Sequence, residues 1–463
     1  MNRITPCFLL LAASVSAAVL PFSLTPVEGM KAEPAPPVAA PAPQVPDVLT
    51  LDQSLQYALE HSYAIRQARQ RLREQEGLVV EVKAALLPKA TVVGGYSRYD
   101  EGLNDKLKGQ IQSYQGWQVG LKVRQVLYNG GFAFAALDVA RATRAAALLD
   151  LQATIDAVLL DVRVKYADVL LNRARIGVQE QNVSLLEEQL ATTRNRFEAG
   201  SVSQFEVLRS EVALANAKPA LIRARNAFRN SIEYLRAALG YQNELPSDMK
   251  KTPEFSGELV FNPVAYELEP ALAAAKAKRP ELQRLQQLAK ARESGVVNAR
   301  SGYKPELYLT GGYEGRKSTL SNSFSDTNAG WIVGLEGSWA IFDGNRTRGK
   351  VAQARAQLYQ ARLGVSEQTL AIEVEVRRAL SSLQEAAELA GAAEKVVEQA
   401  AEALRLSDVR YDNGAATQLD VLETRVALTQ ARLNRVEANY SHTVALATLR
   451  KAIADADTFQ LTP

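Results

Sequence analysis

Cysteine and histidine are nearly absent from this sequence of 463 residues, which contains one cysteine, Cys7, and two histidines, His61 and His442. These residues cannot assemble a cysteine–histidine metal cluster, and a lone cysteine has no disulfide partner within the chain. A Ser-His-Asp triad would need a histidine from helical, alanine-rich sequence. We therefore expect no enzymatic activity, with no catalytic residues, no metal site and no cofactor.

Charge of one sign and long apolar runs are also missing. The 54 Lys and Arg residues are balanced by 51 Asp and Glu residues, for a formal net charge of +3. This balance offers no electrostatic argument for a nucleic-acid partner. Beyond the N-terminal segment, no stretch reaches the roughly 18 apolar residues that a spanning helix needs. If the protein sits in a membrane, we expect it to do so as a β-barrel.

The N-terminal segment has the pattern of an export signal. Arg3 precedes an apolar run that ends near Leu24 and is followed by small residues. We predict a signal peptide in residues 1–32, with its cleavage site open, and a Pro/Ala-rich linker in residues 33–48. Cys7 lies ahead of the apolar run, which is the wrong place for a lipoprotein cysteine, so we expect no lipid anchor.

An internal repeat is the most informative property of the sequence. The segment RFEAGSVSQFEVL, which begins at Arg196, returns as RYDNGAATQLDVL at Arg410, an offset of 214 residues. Gly116-Trp117 returns at the same offset, whereas the earlier Gly94-Gly95-Tyr96 returns as Gly311-Gly312-Tyr313 at an offset of 217. The offset changes only between these two motifs, so the second copy has lost three residues there, as an indel in a loop would cause.

Each half of the repeat reads as helix, strand, strand, helix, helix. The helix predicted from Ala133 to Glu198 contains no proline and would span roughly 100 Å at 1.5 Å per residue. Its counterpart from Thr347 to Asp412 matches it in length, and such helices are typical of rod-like assemblies rather than globules. The chain then divides into a first repeat at 49–240, an inter-repeat segment at 241–265, a second repeat at 266–453 and a C-terminal tail at 454–463.

Four segments alternate apolar and polar residues as strands do, near 90–99, 117–128, 307–314 and 331–342. Each has about the 9–12 residues that cross a bilayer when the strand is tilted. An ordinary soluble sheet with one face on a core would alternate equally well. Four strands cannot close a barrel, so a membrane protein of this kind must oligomerise, and both two and three chains remain open.

The residues resemble the TolC-like outer-membrane efflux protein family, the outer membrane factors, over essentially the whole chain from Leu49. The resemblance rests on the opening LTLDQSLQYAL, the duplicated strand blocks and the paired turn segments. It implies a mainly α fold with a transmembrane β-barrel, in which three chains each supply four strands and their long helices form a periplasmic α-barrel. It also implies an outer-membrane location with a periplasmic extension.

The function implied by this resemblance is a passive exit duct of a tripartite efflux or type I secretion system. Its cargo would be small molecules or exported polypeptides. The implied partners are two further copies of the chain, a periplasmic adaptor, an inner-membrane pump and outer-membrane lipid. A second interpretation is a periplasmic coiled-coil adaptor or scaffold without a pore, which the two hairpins of lipid-spanning length disfavour.

Local sequence rules define the paired turns between the long and the shorter helices. Gly200 and Gly414 suit the position just after a helix end, where a left-handed backbone is needed. Ser203 and Thr417 suit the N-cap of the next helix, and each is followed three residues later by an acid that would complete a capping box.

The resemblance makes these turns the periplasmic tips on which the adaptor docks. The docking positions are Arg196, Gly200 and Ser203 in the first turn and Arg410, Gly414 and Thr417 in the second. Either arginine could instead pair with a neighbouring acid near its helix end, which usually contributes little.

By the same resemblance, the second turn lines the entrance of the tunnel. Asp420 and Glu423 would form rings of carboxylates that favour cations, and Tyr411 matches a gate tyrosine. Asp420 could instead act only as a cap, and Tyr411 only in helix packing. Glu423 has no capping role, and its counterpart in the first copy is Arg209. Ala416 stands where the family has a gate-locking arginine, so that lock is in doubt here.

Overall fold

The computed structural model describes residues 48–98, 100, 115–241, 254–318 and 323–455. The predicted signal peptide with Cys7, nearly all of the predicted linker and most of the predicted C-terminal tail lie outside these residues. So does much of the predicted inter-repeat segment. The elements before that segment are β1 (Val48–Leu49), α1 (Leu51–His61), α2 (Tyr63–Ala84), β2 (Lys89–Arg98), β3 (Gln115–Asn129), α3 (Phe132–Glu198) and α4 (Gln204–Leu239).

The second half of the chain repeats this order. Its elements are β4 (Glu254–Phe255), α5 (Leu268–Lys278), α6 (Pro280–Arg300), a 3₁₀ turn (Ser301–Tyr303), β5 (Glu306–Lys317), β6 (Thr327–Ser338), α7 (Arg346–Asp412) and α8 (Gln418–Ala452). The mainly helical, duplicated architecture predicted from the sequence is thereby observed. The long helices α3 and α7 have 67 residues each, a length of roughly 100 Å.

Local signals explain where several helices begin. Thr50 Oγ1 accepts from the backbone N–H of Gln53 at 3.2 Å, and Gln53 Oε1 accepts from the N–H of Thr50 at 3.0 Å. This reciprocal capping box starts α1 and leaves two terminal donors satisfied. Pro280 is the first residue of α6, where its missing N–H costs nothing. Pro219, in contrast, lies inside α4.

The four longer strands form one antiparallel sheet in the order β2-β3-β5-β6. Tyr96 lies opposite Trp117 in the β2–β3 hairpin, and their counterparts Tyr313 and Trp331 lie opposite each other in the β5–β6 hairpin. The two hairpins therefore have the same pairing register, although the connections between their strands differ in length. The remaining contact, between β3 and β5, joins the first repeat to the second.

The last strand is shorter than the alternation of its sequence predicts. The pattern continues to about residue 342, but β6 ends at Ser338, opposite the first residue of β5, Glu306. Its counterpart β3 continues to Asn129 because β5 runs alongside it to that residue. The difference arises because a strand needs a hydrogen-bonded neighbour, and β6 has none on its outer side among the described residues.

The helices pack around the two long ones. α3 packs against α2, α4, α6 and α8, while α7 packs against α6 and α8. Beside the helices, β1 pairs in parallel with β4. The hydroxyl of Tyr166 on α3 donates to the carbonyl of Leu49 in β1 at 2.9 Å. Within the described ranges, no helix combines the length and apolar character needed to cross a membrane.

Candidate functional site at the paired helical turns

The two turns far from the sheet have the same backbone. Gly200 and Gly414 both have a φ of +74°, a left-handed conformation that costs side chains other than glycine roughly 1–2 kcal/mol. In the first turn the N–H of Gly200 donates to Phe197 O at 2.9 Å, and in the second the N–H of Gly414 donates to Tyr411 O at 3.0 Å. The predicted role of both glycines at the helix ends is confirmed.

The second turn starts α8 with the capping box that its sequence predicts. Thr417 Oγ1 accepts from the N–H of Asp420 at 3.3 Å, and Asp420 Oδ2 accepts from the N–H of Thr417 at 2.7 Å. These backbone and side-chain hydrogen bonds from Thr417 hold the pKa of the Asp420 carboxyl below its usual value. Asp420 is therefore ionised near neutral pH and sits on the solvent-exposed first turn of α8.

The equivalent capping box in the first turn is absent, which corrects the prediction. Ser203 has the extended backbone of an N-cap, but its side chain makes no capping hydrogen bond. The N–H of Glu206 donates instead to the carbonyl of Ser203 at 3.1 Å. The Glu206 carboxylate lies 3.5 Å from the hydroxyl of Tyr411, so this acid faces the other turn rather than its own N-cap.

A cluster of charged and aromatic groups joins the two turns. Arg196 Nη2 lies 2.9 Å from Asp412 Oδ1, and the guanidinium carbon is 5.1 Å from the centre of the Tyr411 ring. Burial, followed by the charge of Glu206, raises the pKa of the Tyr411 hydroxyl, which therefore stays protonated and can donate. The first-turn arginine and acid thus contact consecutive residues, Tyr411 and Asp412, of the second long helix.

Arg410 behaves differently from its counterpart Arg196. Its Nη2 lies 3.4 Å from the carbonyl of Ala415, within its own turn, and its side chain remains exposed. Glu423, one turn beyond Asp420 on α8, is also exposed. The structure therefore places Asp420, Glu423 and Arg410 at one solvent-facing end of the second hairpin, and Ala416 lies in the same turn.

Three polar side chains are buried where α8 begins against the α3–α4 hairpin. Gln418 Nε2 donates to Ser210 Oγ at 2.6 Å and to Thr193 Oγ1 at 3.3 Å. The exposed fractions are 3% for Gln418, 1% for Ser210 and 0% for Thr193. These two hydrogen bonds attach the start of α8 to the first hairpin, and only the side-chain oxygen of Gln418 is buried there without a partner. Sequence reasoning missed these contacts, since Gln418 reads as an ordinary residue of a first helical turn.

Arg425 makes a second cross-repeat contact two turns further along α8. Its Nη1 donates to the carbonyl of Leu185 on α3 at 2.8 Å, and the residue is 8% exposed. Burial lowers the pKa of this guanidinium, although Asp408 opposes the shift. In the part of the chain that the structure describes, no group of acidic, histidine or cysteine side chains could hold a metal ion. The site is an arrangement of helix ends, charges and hydrogen bonds.

Comparison with known proteins agrees with this architecture. A family model described as outer membrane efflux protein matches residues 54–241 and 271–455, one segment in each repeat. Outer membrane protein TolC of Vibrio cholerae serotype O1 is 24% identical over 391 residues, covering 81% of this chain and 84% of that protein. The pyoverdine export outer membrane protein OpmQ of Pseudomonas putida is 25% identical over 412 residues, covering 87% and 85%.

A solved structure shows the same fold. The crystal structure of the outer membrane protein VceC from Vibrio cholerae superposes with a TM-score of 0.73 at 18% identity, covering 87% of this chain and 95% of that one. The family resemblance and the outer-membrane location predicted from the sequence are confirmed by these matches. The chain belongs to the outer membrane efflux protein family.

Proposed function

We propose that the protein is the passive exit duct of a tripartite efflux or type I secretion system, carrying small molecules or exported polypeptides across the periplasm and the outer membrane. The observation that carries this proposal is the apolar face of the sheet. Val92, Tyr96, Trp331, Val333 and Leu335 are each between 60% and 77% exposed. A water-soluble protein rarely exposes such a continuous apolar surface, whereas lipid would cover it.

Three copies of the chain form this duct. Four strands per chain would give a twelve-stranded closed sheet, and closure is the arrangement that leaves no strand edge unpaired in lipid. The helical shaft of roughly 100 Å extends from the sheet into the periplasm. No cofactor is needed, because the energy comes from an inner-membrane pump that a periplasmic adaptor links to the duct.

The second turn surrounds the periplasmic entrance. Asp420 and Glu423 are exposed acids on the first two turns of α8, and three copies of each would form two rings of negative charge that favour cations. The cluster of Arg196, Asp412, Tyr411 and Glu206 holds this turn against the first hairpin. Opening of the entrance would require these contacts to separate.

The adaptor docks on the tips themselves. The outward-facing parts are the turn glycines, Gly200 and Gly414, with Ser203, Thr417 and Arg410 beside them. Arg196 contributes less to docking than Arg410, because it is already paired with Asp412. A charge-reversing Arg410→Glu variant should therefore weaken adaptor binding more than Arg196→Glu, measured with the purified adaptor.

A planar-bilayer recording of the detergent-purified oligomer tests the entrance. We expect the Glu423→Gln variant to lose part of the cation selectivity of the wild type, and Asp420→Asn with Glu423→Gln to lose more. The matched control is Glu198→Gln, an exposed acid beside the first turn, which should leave the selectivity unchanged. A water-soluble monomer that forms no channels would refute the duct and favour a periplasmic scaffold.

A further inference from the structure

Exposed cations gather where the sheet meets the helices of the second repeat. Residues 343–350, at the start of α7, contain three cations and one acid, and a further cation lies just before β5. We refer to the four cations, Lys304, Arg346, Arg348 and Lys350, as the basic collar. We propose that the basic collar binds the phosphate groups of anionic phospholipids in the leaflet on the helical side of the membrane. This inference rests on the proposed function as a membrane duct, and it names the lipid partner.

Two close approaches bring Lys304 to the starts of the long helices. The turn before Lys304 packs on α7, since a Cβ added to Gly302 would lie 2.6 Å from Thr347 Oγ1. The first repeat is equally near, since a Cβ added to Gly130 would lie 2.9 Å from the Cβ of Lys304. Lys304 therefore lies between the starts of α3 and α7, next to the cations that α7 carries.

The first repeat has apolar residues at all four equivalent positions. The offset is 217 residues before the first strand of each hairpin and 214 residues after the second. These offsets match Lys304 with Leu87, Arg346 with Phe132, Arg348 with Phe134 and Lys350 with Ala136. Leu87, Phe132 and Phe134 are 57%, 48% and 66% exposed. The basic collar therefore replaces exposed apolar side chains by cations in one repeat only.

A shared side-chain contact shows that these positions lie at the same height in both repeats. Gln125 Nε2 donates to the carbonyl of Leu86 at 3.0 Å. Trp339 is the counterpart of Gln125, and its Nε1 donates to the carbonyl of Tyr303, the counterpart of Leu86, at 3.2 Å. The basic collar is therefore level with the exposed apolar side chains of the first repeat and does not belong to the shaft further along.

Exposed aromatic and aliphatic side chains place this level at the border of the lipid. Trp339 and Ile341, which lead from β6 to α7, are 61% and 87% exposed, and Tyr303 is 52% exposed. Tryptophan and tyrosine are enriched where acyl chains give way to head groups, and arginine and lysine extend from that depth toward the polar layer. The basic collar thus lies where phosphate groups would be.

The cations of the basic collar are available to a partner. Among the described residues, no ion pair within 4.0 Å joins any of them to an acid. Asp343 is close to Arg346 in sequence and offsets part of its charge. The Asp343 carboxylate caps α7, since its Oδ2 accepts from the N–H of Thr347 at 2.8 Å and from the Thr347 hydroxyl at 2.5 Å. Arg348 and Lys350, further along the helix, therefore contribute most to binding.

The combination of cations and apolar surface favours a lipid over an acidic protein. An acidic protein would need only the charges, whereas an anionic phospholipid presents a phosphate group directly above its acyl chains. A guanidinium can donate two parallel hydrogen bonds to one phosphate. A zwitterionic lipid gains less, because its own cation opposes the attraction. We therefore expect a preference for anionic over zwitterionic phospholipid.

Quenching of tryptophan fluorescence by brominated lipid measures this preference. The chain has three tryptophans, so Trp117→Phe with Trp331→Phe leaves Trp339 as a reporter beside the basic collar. The oligomer is reconstituted into vesicles with equal parts of phosphatidylcholine and phosphatidylglycerol, and the acyl chains of one lipid or the other carry bromine. We expect stronger quenching by brominated phosphatidylglycerol at low salt. The difference should shrink as salt is raised, because ions screen the attraction.

Variants of Arg348 separate charge from apolar contact. Arg348→Gln should lower the preference for phosphatidylglycerol by about fivefold at low salt, and Arg346→Gln with Arg348→Gln should lower it further. Arg348→Lys keeps the charge and should keep most of the preference. Arg348→Phe introduces the residue of the first repeat, so the protein should insert as the wild type does but lose the preference as Arg348→Gln does.

The matched control removes the same charge from the same helix. Arg378 and Lys395 are exposed residues of α7, roughly 40 Å and 65 Å beyond the basic collar at 1.5 Å per residue. Arg378→Gln with Lys395→Gln should leave the preference unchanged. An equal loss in this control and in the double variant of the basic collar would overturn the inference, because net charge alone would then set the preference.

The remaining outcomes separate this inference from the proposed function. An oligomer that inserts into the vesicles and shows no preference between the two lipids would overturn the lipid site and leave the duct intact. A preference that salt does not reduce would also overturn it. A wild-type protein that stays outside the vesicles as a single chain would remove the duct and the lipid site together.

Discussion

In each repeat a single non-helical residue separates two consecutive helices. This break in the helix is stabilised differently in the two repeats. In the first repeat, Ser62 separates α1 from α2 with φ −57° and ψ 128°, and in the second, Arg279 separates α5 from α6 with φ −62° and ψ 121°. Both residues are buried, at 4% and 3% exposure. The shared dihedral angles show that the break belongs to the fold, while the side chain at the break was free to diverge.

The first break is held by close backbone packing. Gly240, at the end of α4, has a φ of +74°, and a Cβ at this position would lie 2.7 Å from the carbonyl oxygen of His61. The counterpart of Gly240 in the second repeat is Ala454, which adopts a left-handed φ of +53° in spite of its side chain. The second repeat therefore tolerates strain where the first has a glycine.

The second break is held by charge. Arg279 pairs with Glu281 at 2.9 Å and with Glu375, while Lys451 lies 3.5 Å and 3.4 Å from the same two acids. Hydrogen bonds and the positive charge of Arg279 hold the pKa of the Glu281 carboxyl below its usual value, although burial opposes them. Through Glu375 and Lys451, this cluster links the break to both α7 and α8.

The largest expected effect comes from removing the charge at the second break. Arg279→Met should destabilise the protein by about 3 kcal/mol, because Glu281 and Glu375 lose their buried partner. The measurement is the denaturant midpoint of the purified protein. The control is Arg284→Met, which removes a half-exposed pair with Asp150 and should cost less than about 1 kcal/mol. Equal losses in both variants would contradict the distinction.

The next effect tests the close packing at the first break. Gly240→Ala should cost about 2 kcal/mol, from the left-handed backbone together with the contact on His61. The control is Gly414→Ala, which has the same φ of +74° but open space around its Cβ. A loss in Gly240→Ala no greater than in Gly414→Ala, judged by denaturant midpoints, would show that the clash is relieved by movement.

A smaller effect distinguishes the two tips. Thr417→Ala should reduce the stability of the first turns of α8 by about 1 kcal/mol, because it removes the hydroxyl that accepts from the N–H of Asp420. Ser203→Ala should change the stability of the first turns of α4 by only a few tenths of a kcal/mol, since the Ser203 hydroxyl makes no capping hydrogen bond. Hydrogen exchange of the first two turns of each helix measures both, and similar losses would mean that Ser203 caps α4 in solution.

The smallest effect is a gain. Ala454→Gly should stabilise the protein by about 0.5 kcal/mol, because relief of the left-handed alanine slightly exceeds the extra entropy of an unfolded glycine. The denaturant midpoint again measures it. A midpoint that falls would show that the alanine methyl group packs usefully at the end of α8.

Much of the fold follows from short-range rules that the sequence displays. The two long helices, the left-handed glycines and the capping boxes at Thr50 and Thr417 depend on residues within a few positions of one another. These rules fail where a distant group competes. Glu206 leaves its predicted capping box for Tyr411, which is 205 positions away, and Gln418 is buried because Ser210 and Thr193 lie opposite it.

The sheet shows the same limit in another form. Alternation predicts which residues can be a strand, but pairing decides which of them are. Residues 339–343 are mostly apolar, as are their counterparts in β3, yet among the described residues only the latter have a neighbouring strand. The local sequence pattern cannot show which segments pair, because the fold and not the local sequence brings a neighbouring strand alongside.

The shared register of the two hairpins has a consequence for how this protein can change. The connection between the strands is three residues shorter in the second copy, and every pair from Lys89–Arg124 onward keeps its counterpart. The length of the connection between the two strands of a hairpin therefore does not affect the register in which they pair. We expect a reporter peptide inserted between Arg98 and Gln115 to leave the strand pairs in place.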